Sequence, residues 1–267
     1  MAKLTNQLNF FIMIKKCNSL LLTVAIVFGT MLTVQAQDDS SYEMWESIML
    51  IPDNTKLKVL AENMRKHNQT YHKSGAHKAT VYNISTGPNA GKIIWEMGPL
   101  TYSDLDTRPS VGGHDEDWRD NVMPNIKKMN TVEYWKQDKE NSNTDMLDGD
   151  NSKYPILYVR YYEVSPGHGY TIKRLFSQIK KTLQSIEGDY PWGVYENEFQ
   201  QGDLGRHFAT VSFNRNWAEY DEDIKFVEAF EKIYGNNSFN TFVNMRNDTF
   251  SNRWDEVWVY DKNMSGD

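Results

Sequence analysis

The chain has 267 residues, of which 39% are hydrophobic, 24% charged and 13% aromatic, enough for one large core or two small ones. Its 29 basic and 36 acidic residues give a formal charge of −7, which removes the long-range attraction that nucleic acid and anionic membranes exert. Those partner classes are set aside, and a small-molecule ligand is the expected partner.

Residues 1–36 read as a secretory signal peptide. Lys3, Lys15 and Lys16 precede the fifteen-residue apolar run LLLTVAIVFGTMLTV over 20–34. That run is shorter than the roughly 20 residues a membrane-spanning helix needs. Val34 and Ala36 supply the small residues that a signal peptidase reads. Cleavage after Ala36 leaves 26 basic and 36 acidic residues, a net charge of −10, and removes Cys17, the single cysteine. The expected product is an exported protein, periplasmic or secreted, without a membrane span. It has no disulfide, thiol nucleophile or cysteine–metal site.

Residues 37–140 read as a β-α-β-β-α-β unit. Over 42–51, Tyr42, Trp45 and Ile48 mark a strand, and Leu57, Leu60, Ala61, Met64 and Tyr71 then follow helical spacing. A hairpin joins 79–85 to 93–97 through Gly87-Pro88-Asn89-Ala90-Gly91. A second helix is expected over 115–129, and a closing strand around Glu133. Residues 141–152 are polar and acidic, and read as a surface linker.

The order then starts again over 153–267. A strand covers 154–164, and Ile172, Leu175, Phe176, Ile179, Leu183 and Ile186 give one apolar helix face. A hairpin joins 193–199 to 207–213, and a helical stretch over 217–250 breaks at Gly235-Asn236-Asn237. The closing strands match best. Glu133-Tyr134-Trp135-Lys136-Gln137-Asp138-Lys139 and Glu256-Val257-Trp258-Val259-Tyr260-Asp261-Lys262 share E-x-W-x-x-D-K at an offset of 123. The expected fold class is α+β, with two tandem ferredoxin-like repeats forming an intramolecular α+β barrel.

In this order of elements the chain resembles the dimeric α+β barrel superfamily, the antibiotic-biosynthesis-monooxygenase and NIPSNAP-like group, as a tandem two-repeat exported protein. The resemblance covers the mature chain in element order and brings no catalytic motif. It implies a ligand site between the two sheets, and an activity such as a cofactor-independent oxygenase or isomerase. A haem-binding barrel is a third reading, and would need His207 or His168 as axial ligand.

Period-two alternation sorts the strand faces. Val132, Tyr134, Val257 and Val259 suit packing under helices, which turns Glu133, Trp135, Glu256, Trp258 and Tyr260 toward the opposite sheet. The expected ligand contacts are Trp135, Trp258, Glu133, Glu256, Tyr82, Tyr195 and Trp95. Glu133, Glu256 and His207 are the catalytic candidates, and Asn83 and Glu196 are further interior positions. The bland alternative has the indoles filling the barrel and the glutamates at its rim beside Lys or Arg. These readings favour a small, mainly apolar or aromatic ligand, with its reaction left open.

No motif implies a cofactor or a metal. His67 and His72 are five residues apart and do not share a helix face, so with His77 they read as a solvent-facing helix end. His114-Asp115-Glu116-Asp117 reads as a helix start. Asp145 to Asp150 fails the calcium-loop spacing, and Gly87 to Lys92 falls one residue short of a phosphate loop and joins two strands.

Overall fold

A computed structural model describes residues 42–110, 112–199 and 202–266; the expected signal peptide over 1–36 lies outside them. Eight strands are described. They are β1 (Met44–Pro52), β2 (Ala79–Ile84), β3 (Ile93–Leu100), β4 (Ile126–Gln137), β5 (Ile156–Val164), β6 (Trp192–Asn197), β7 (Phe208–Asn214) and β8 (Phe250–Tyr260). The α-helices are α1 (Leu57–Tyr71), α2 (Tyr102–Leu105), α3 (His114–Asp117), α4 (Ile172–Ser185), α5 (Phe226–Tyr234) and α6 (Ser238–Thr249).

The strands close into one antiparallel barrel in the order β1-β3-β2-β8-β5-β7-β6-β4. Read from the seams, this is β4-β1-β3-β2 followed by β8-β5-β7-β6, so strands fourth, first, third and second of each half lie side by side. The two four-stranded sheets meet at narrow seams, β2 with β8 from Tyr82↔Tyr260 to Ile84↔Trp258 and β4 with β6 from Trp135↔Asn197 to Gln137↔Tyr195. An eight-stranded barrel is just wide enough to be filled by side chains or to hold one small ligand.

Alternation along each strand splits the apolar residues into three layers. Met49, Tyr82, Ile94, Trp135, Leu157, Tyr161 and Trp258 form the barrel interior. Met44, Ile48, Leu50, Val81, Trp95 and Met97 pack outside the first sheet with Leu60 and Met64 of α1. Tyr162, Val194 and Phe250 pack outside the second sheet with Leu175 and Phe176 of α4, Phe230 of α5 and Phe242 of α6.

Three expectations need correction. The helix expected over 115–129 is shorter and irregular: helical turns run without a break from α3 through a wide π turn over Trp118–Val122 to a 3-10 turn over Met123–Asn125, where Pro124 lacks the N–H a continuing α-helix would use, and β4 begins at Ile126. The segment over 141–152 is not a mere surface spacer. Asn141, Ser142 and Asn143 are buried, Asn143 bridges to Trp192, and the Ser142 hydroxyl accepts the Val194 N–H at 2.9 Å. Two of the three histidines expected to face solvent do not. His67 is 1% exposed and His72 2%, and burial lowers both pKa values, that of His72 to about 4. The spacing argument failed because His72 lies beyond the helix, as its C-cap in a non-helical conformation, and turns back against His67.

Candidate ligand-binding site

A cavity of about 370 Å³ occupies one end of the barrel. That is within the range of small-molecule pockets. Its walls include Trp45, Tyr82, Trp135, Tyr161, Tyr195 and Trp258, with Leu157, Val159, Ala209, Val211 and Phe213 between them. The segment between the two halves completes the lining with Thr144, Leu147, Asp148, Gly149, Asp150 and Asn151. The rings brace one another: Trp45 meets Tyr195 edge-on at 5.5 Å, Trp135 lies 5.7 Å from Tyr161, and Tyr82 lies 5.9 Å from Trp258. Gly193 makes room for the Tyr195 ring, since a Cβ there would lie 2.6 Å from Cε2.

Glu96 lines the cavity from β3, together with Glu43, Lys78, Asp148 and Asp150. No hydrogen bond or ion pair reaches Glu96 among the described residues, and burial alone raises its pKa to about 7. A carboxyl in that condition exchanges a proton near neutral pH, as a general acid or base must. Its charge also raises the pKa of the Tyr195 and Tyr161 hydroxyls, after burial as the larger cause.

The expected residues separate into two groups. Trp135, Trp258, Tyr82 and Tyr195 line the cavity. Glu133 and Glu256 lie two residues before the tryptophans on β4 and β8, outside the lining, and both are fully buried. Arg206 joins them from below, its guanidinium 2.9 Å from Glu133 Oε2 and donating to the Tyr161 hydroxyl at 2.7 Å. Asn197 donates to Glu133 at 3.3 Å. Asn89 and the Trp258 indole N–H donate to Glu256 at 2.5 and 2.9 Å. Burial pushes the Glu133 carboxyl above its ordinary range although Arg206 pulls the other way. This is a buried charge cluster outside the cavity lining.

Trp95 is a correction of register. It points outward, under α1, with its indole N–H donating to Asn68 at 2.9 Å, and its neighbour Glu96 takes the interior place. Asn83 donates to Asp261 at 2.8 Å, and Glu196 is an exposed strand residue. His207 accepts the Val164 N–H through Nδ1 at 3.0 Å, and His168 stacks on Tyr170; neither lines the cavity. The axial ligands considered for a haem are therefore absent from this space, and the cavity residues do not fit that reading. Sequence reasoning missed Glu96, Trp45, Tyr161 and the lining residues between Thr144 and Asn151. A lone charge in the apolar run Ile93-Ile94-Trp95-Glu96-Met97 was the available signal.

No protein-family profile and no curated protein matches the sequence. Solved structures do match the fold. A candidate monooxygenase from Lactobacillus acidophilus NCFM is 9% identical over 82% of this chain and 93% of its own, with a TM-score of 0.50. An anthrone oxidase-like protein is 15% identical over 84% of this chain and 93% of its own, with a TM-score of 0.51. A candidate monooxygenase from Fusobacterium nucleatum is 8% identical over 81% and 91%, also at 0.51. At these identities the likeness concerns the fold alone.

Proposed function

We propose that this protein binds a small, mainly apolar or aromatic molecule in the barrel cavity, with Glu96 facing the ligand's polar group. The observation that carries this reading is the Glu96 carboxyl, held by no hydrogen bond or ion pair among the described residues, in a cavity whose lining includes eight aromatic residues. Apolar walls supply affinity through desolvation, and one polar group fixes orientation. We further propose that residues 1–36 are a signal peptide that directs export, and that the two halves are copies of one ferredoxin-like unit.

A second reading follows from the pKa of about 7 at Glu96. In an enzyme, Glu96 would take the proton of a weakly acidic C–H or phenolic O–H, in a site from which the rings exclude water. That is the first step of a cofactor-independent oxygenase or isomerase, and the names of the fold's neighbours suit it.

The test is a titration with 1-naphthol followed by tryptophan fluorescence, on the wild type and on Ala209→Phe, which fills the cavity from β7 without deleting a core side chain. Saturable one-to-one quenching in the wild type and its loss in Ala209→Phe support the proposal. Equal titrations of the two proteins, or no binding by either, refute this ligand class. Anthrone consumption by the wild type but not by Glu96→Gln would favour the enzyme reading.

A further inference from the structure

Outside the first sheet, three imidazoles converge. One ring nitrogen from each of His67, His72 and His114 lies within 4.8 Å of the others. They come from separate places: His67 from the last turns of α1, His72 from just beyond it, and His114 from the start of α3. No fourth His, Cys, Asp or Glu joins the group among the described residues.

The hydrogen bonds settle which nitrogen of each ring carries its proton. His72 Nδ1 lies 2.8 Å from the His77 carbonyl oxygen, which can only accept, so Nδ1 donates. His67 Nδ1 lies 2.8 Å from Asp117 Oδ2, and His114 Nδ1 2.7 Å from Asp115 Oδ1. A neutral imidazole that donates through Nδ1 has its lone pair on Nε2. His72 Nε2 and His114 Nε2 then face each other at 3.0 Å, lone pair against lone pair, while buried His67 Nε2 has no partner. A single proton could bridge His72 and His114, but it would leave His67 Nε2 unsatisfied. A cation satisfies all three.

We propose that His67, His72 and His114 form a binding site for a divalent first-row transition metal, zinc in the first instance, through their Nε2 atoms. Neutral imidazole suits zinc, and zinc–nitrogen bonds of about 2.0–2.1 Å place tetrahedral ligand nitrogens roughly 3.3 Å apart, against 3.0 Å between His72 Nε2 and His114 Nε2 and at most 4.8 Å across the three rings. The oxygens on the three Nδ1 atoms form the outer shell that orients metal-binding histidines. Water would complete the tetrahedron. The ion would fasten the end of α1 to the segment around α3, on the opposite face of the sheet from the cavity.

The test is zinc content after dialysis against a chelator, loading with zinc chloride and desalting, with cobalt(II) as a spectroscopic probe. The wild type should retain one zinc per chain, melt at a higher temperature with zinc than without, and show the visible bands of four-coordinate cobalt. His114→Ala should lose retention, the bands and the thermal shift, and His168→Ala should keep them. Asp117→Asn removes no ligand and should weaken zinc roughly 10–100-fold, so it serves if His114→Ala does not fold. Failure of zinc and cobalt to bind the wild type one-to-one would overturn the proposal and leave a proton between His72 and His114. Equal binding by the wild type and His114→Ala would overturn it as well.

Discussion

The two halves carry similar residues inside the barrel and different ones outside it. Beneath α4, α5 and α6 the outer layer is rich in aromatic rings, with Tyr162, Phe176, Trp192, Phe230, Phe242 and Phe250 among Ile172, Leu175, Leu183 and Val194. Beneath α1 the corresponding layer holds His67, His72 and His114 among Trp95 and Trp118. Phenyl rings stabilise such a layer by burial alone, whereas each imidazole brings two nitrogens that cost free energy unless they are bonded. The second half shows that this layer can be filled without histidine. On the inner face Trp135 matches Trp258 and Glu133 matches Glu256, yet Arg206 bonds only Glu133, while Glu256 relies on Asn89 and an indole.

The strongest way to test the aromatic layer is Phe230→Ala. It should cost about 3–5 kcal/mol in urea unfolding, because Phe230 is fully buried among four other rings. The inner asymmetry is tested next by Arg206→Met, which strands Glu133 beside Glu256 and should cost about 3 kcal/mol at neutral pH. Adding Glu133→Gln should restore much of that loss.

Glu96 gives a smaller, pH-dependent effect. Its folded pKa of about 7 lies above the ordinary 4.5, so between those values the folded state holds a proton that the unfolded state has released. Stability should therefore be greatest below pH ~4.5 for this group and fall as pH rises toward ~7. The loss should be about 1–2 kcal/mol, after allowing for solvent in the cavity, and should vanish in Glu96→Gln. At the small end, the exposed pair Lys139–Glu43 at 2.9 Å should contribute about 0–1 kcal/mol, read from Lys139→Met.

The order of strands along the chain was legible, and so were the faces of β4 and β8, because Glu and Trp alternate there with Val and Tyr. The face of β3 was not, since Ile93, Ile94, Trp95 and Met97 make both sides apolar, one under α1 and one in the barrel. A strand buried on both faces gives no alternation from which to read a register. The histidine cluster was hidden for another reason. His114 lies 42 residues from its partner His72, and His72 had left the helix on which its spacing was judged. The segment over 141–152 looked solvated by composition, but Asn141, Ser142 and Asn143 are buried with their polar groups bonded.

The most direct measurement is the titration of the Glu96 side-chain carboxyl by carbon NMR, assigned by its absence in Glu96→Gln, with and without 1-naphthol. The account predicts a midpoint near 7 in the free protein and a displaced midpoint with the ligand bound. A midpoint near 4.5 that the ligand leaves unmoved would contradict it.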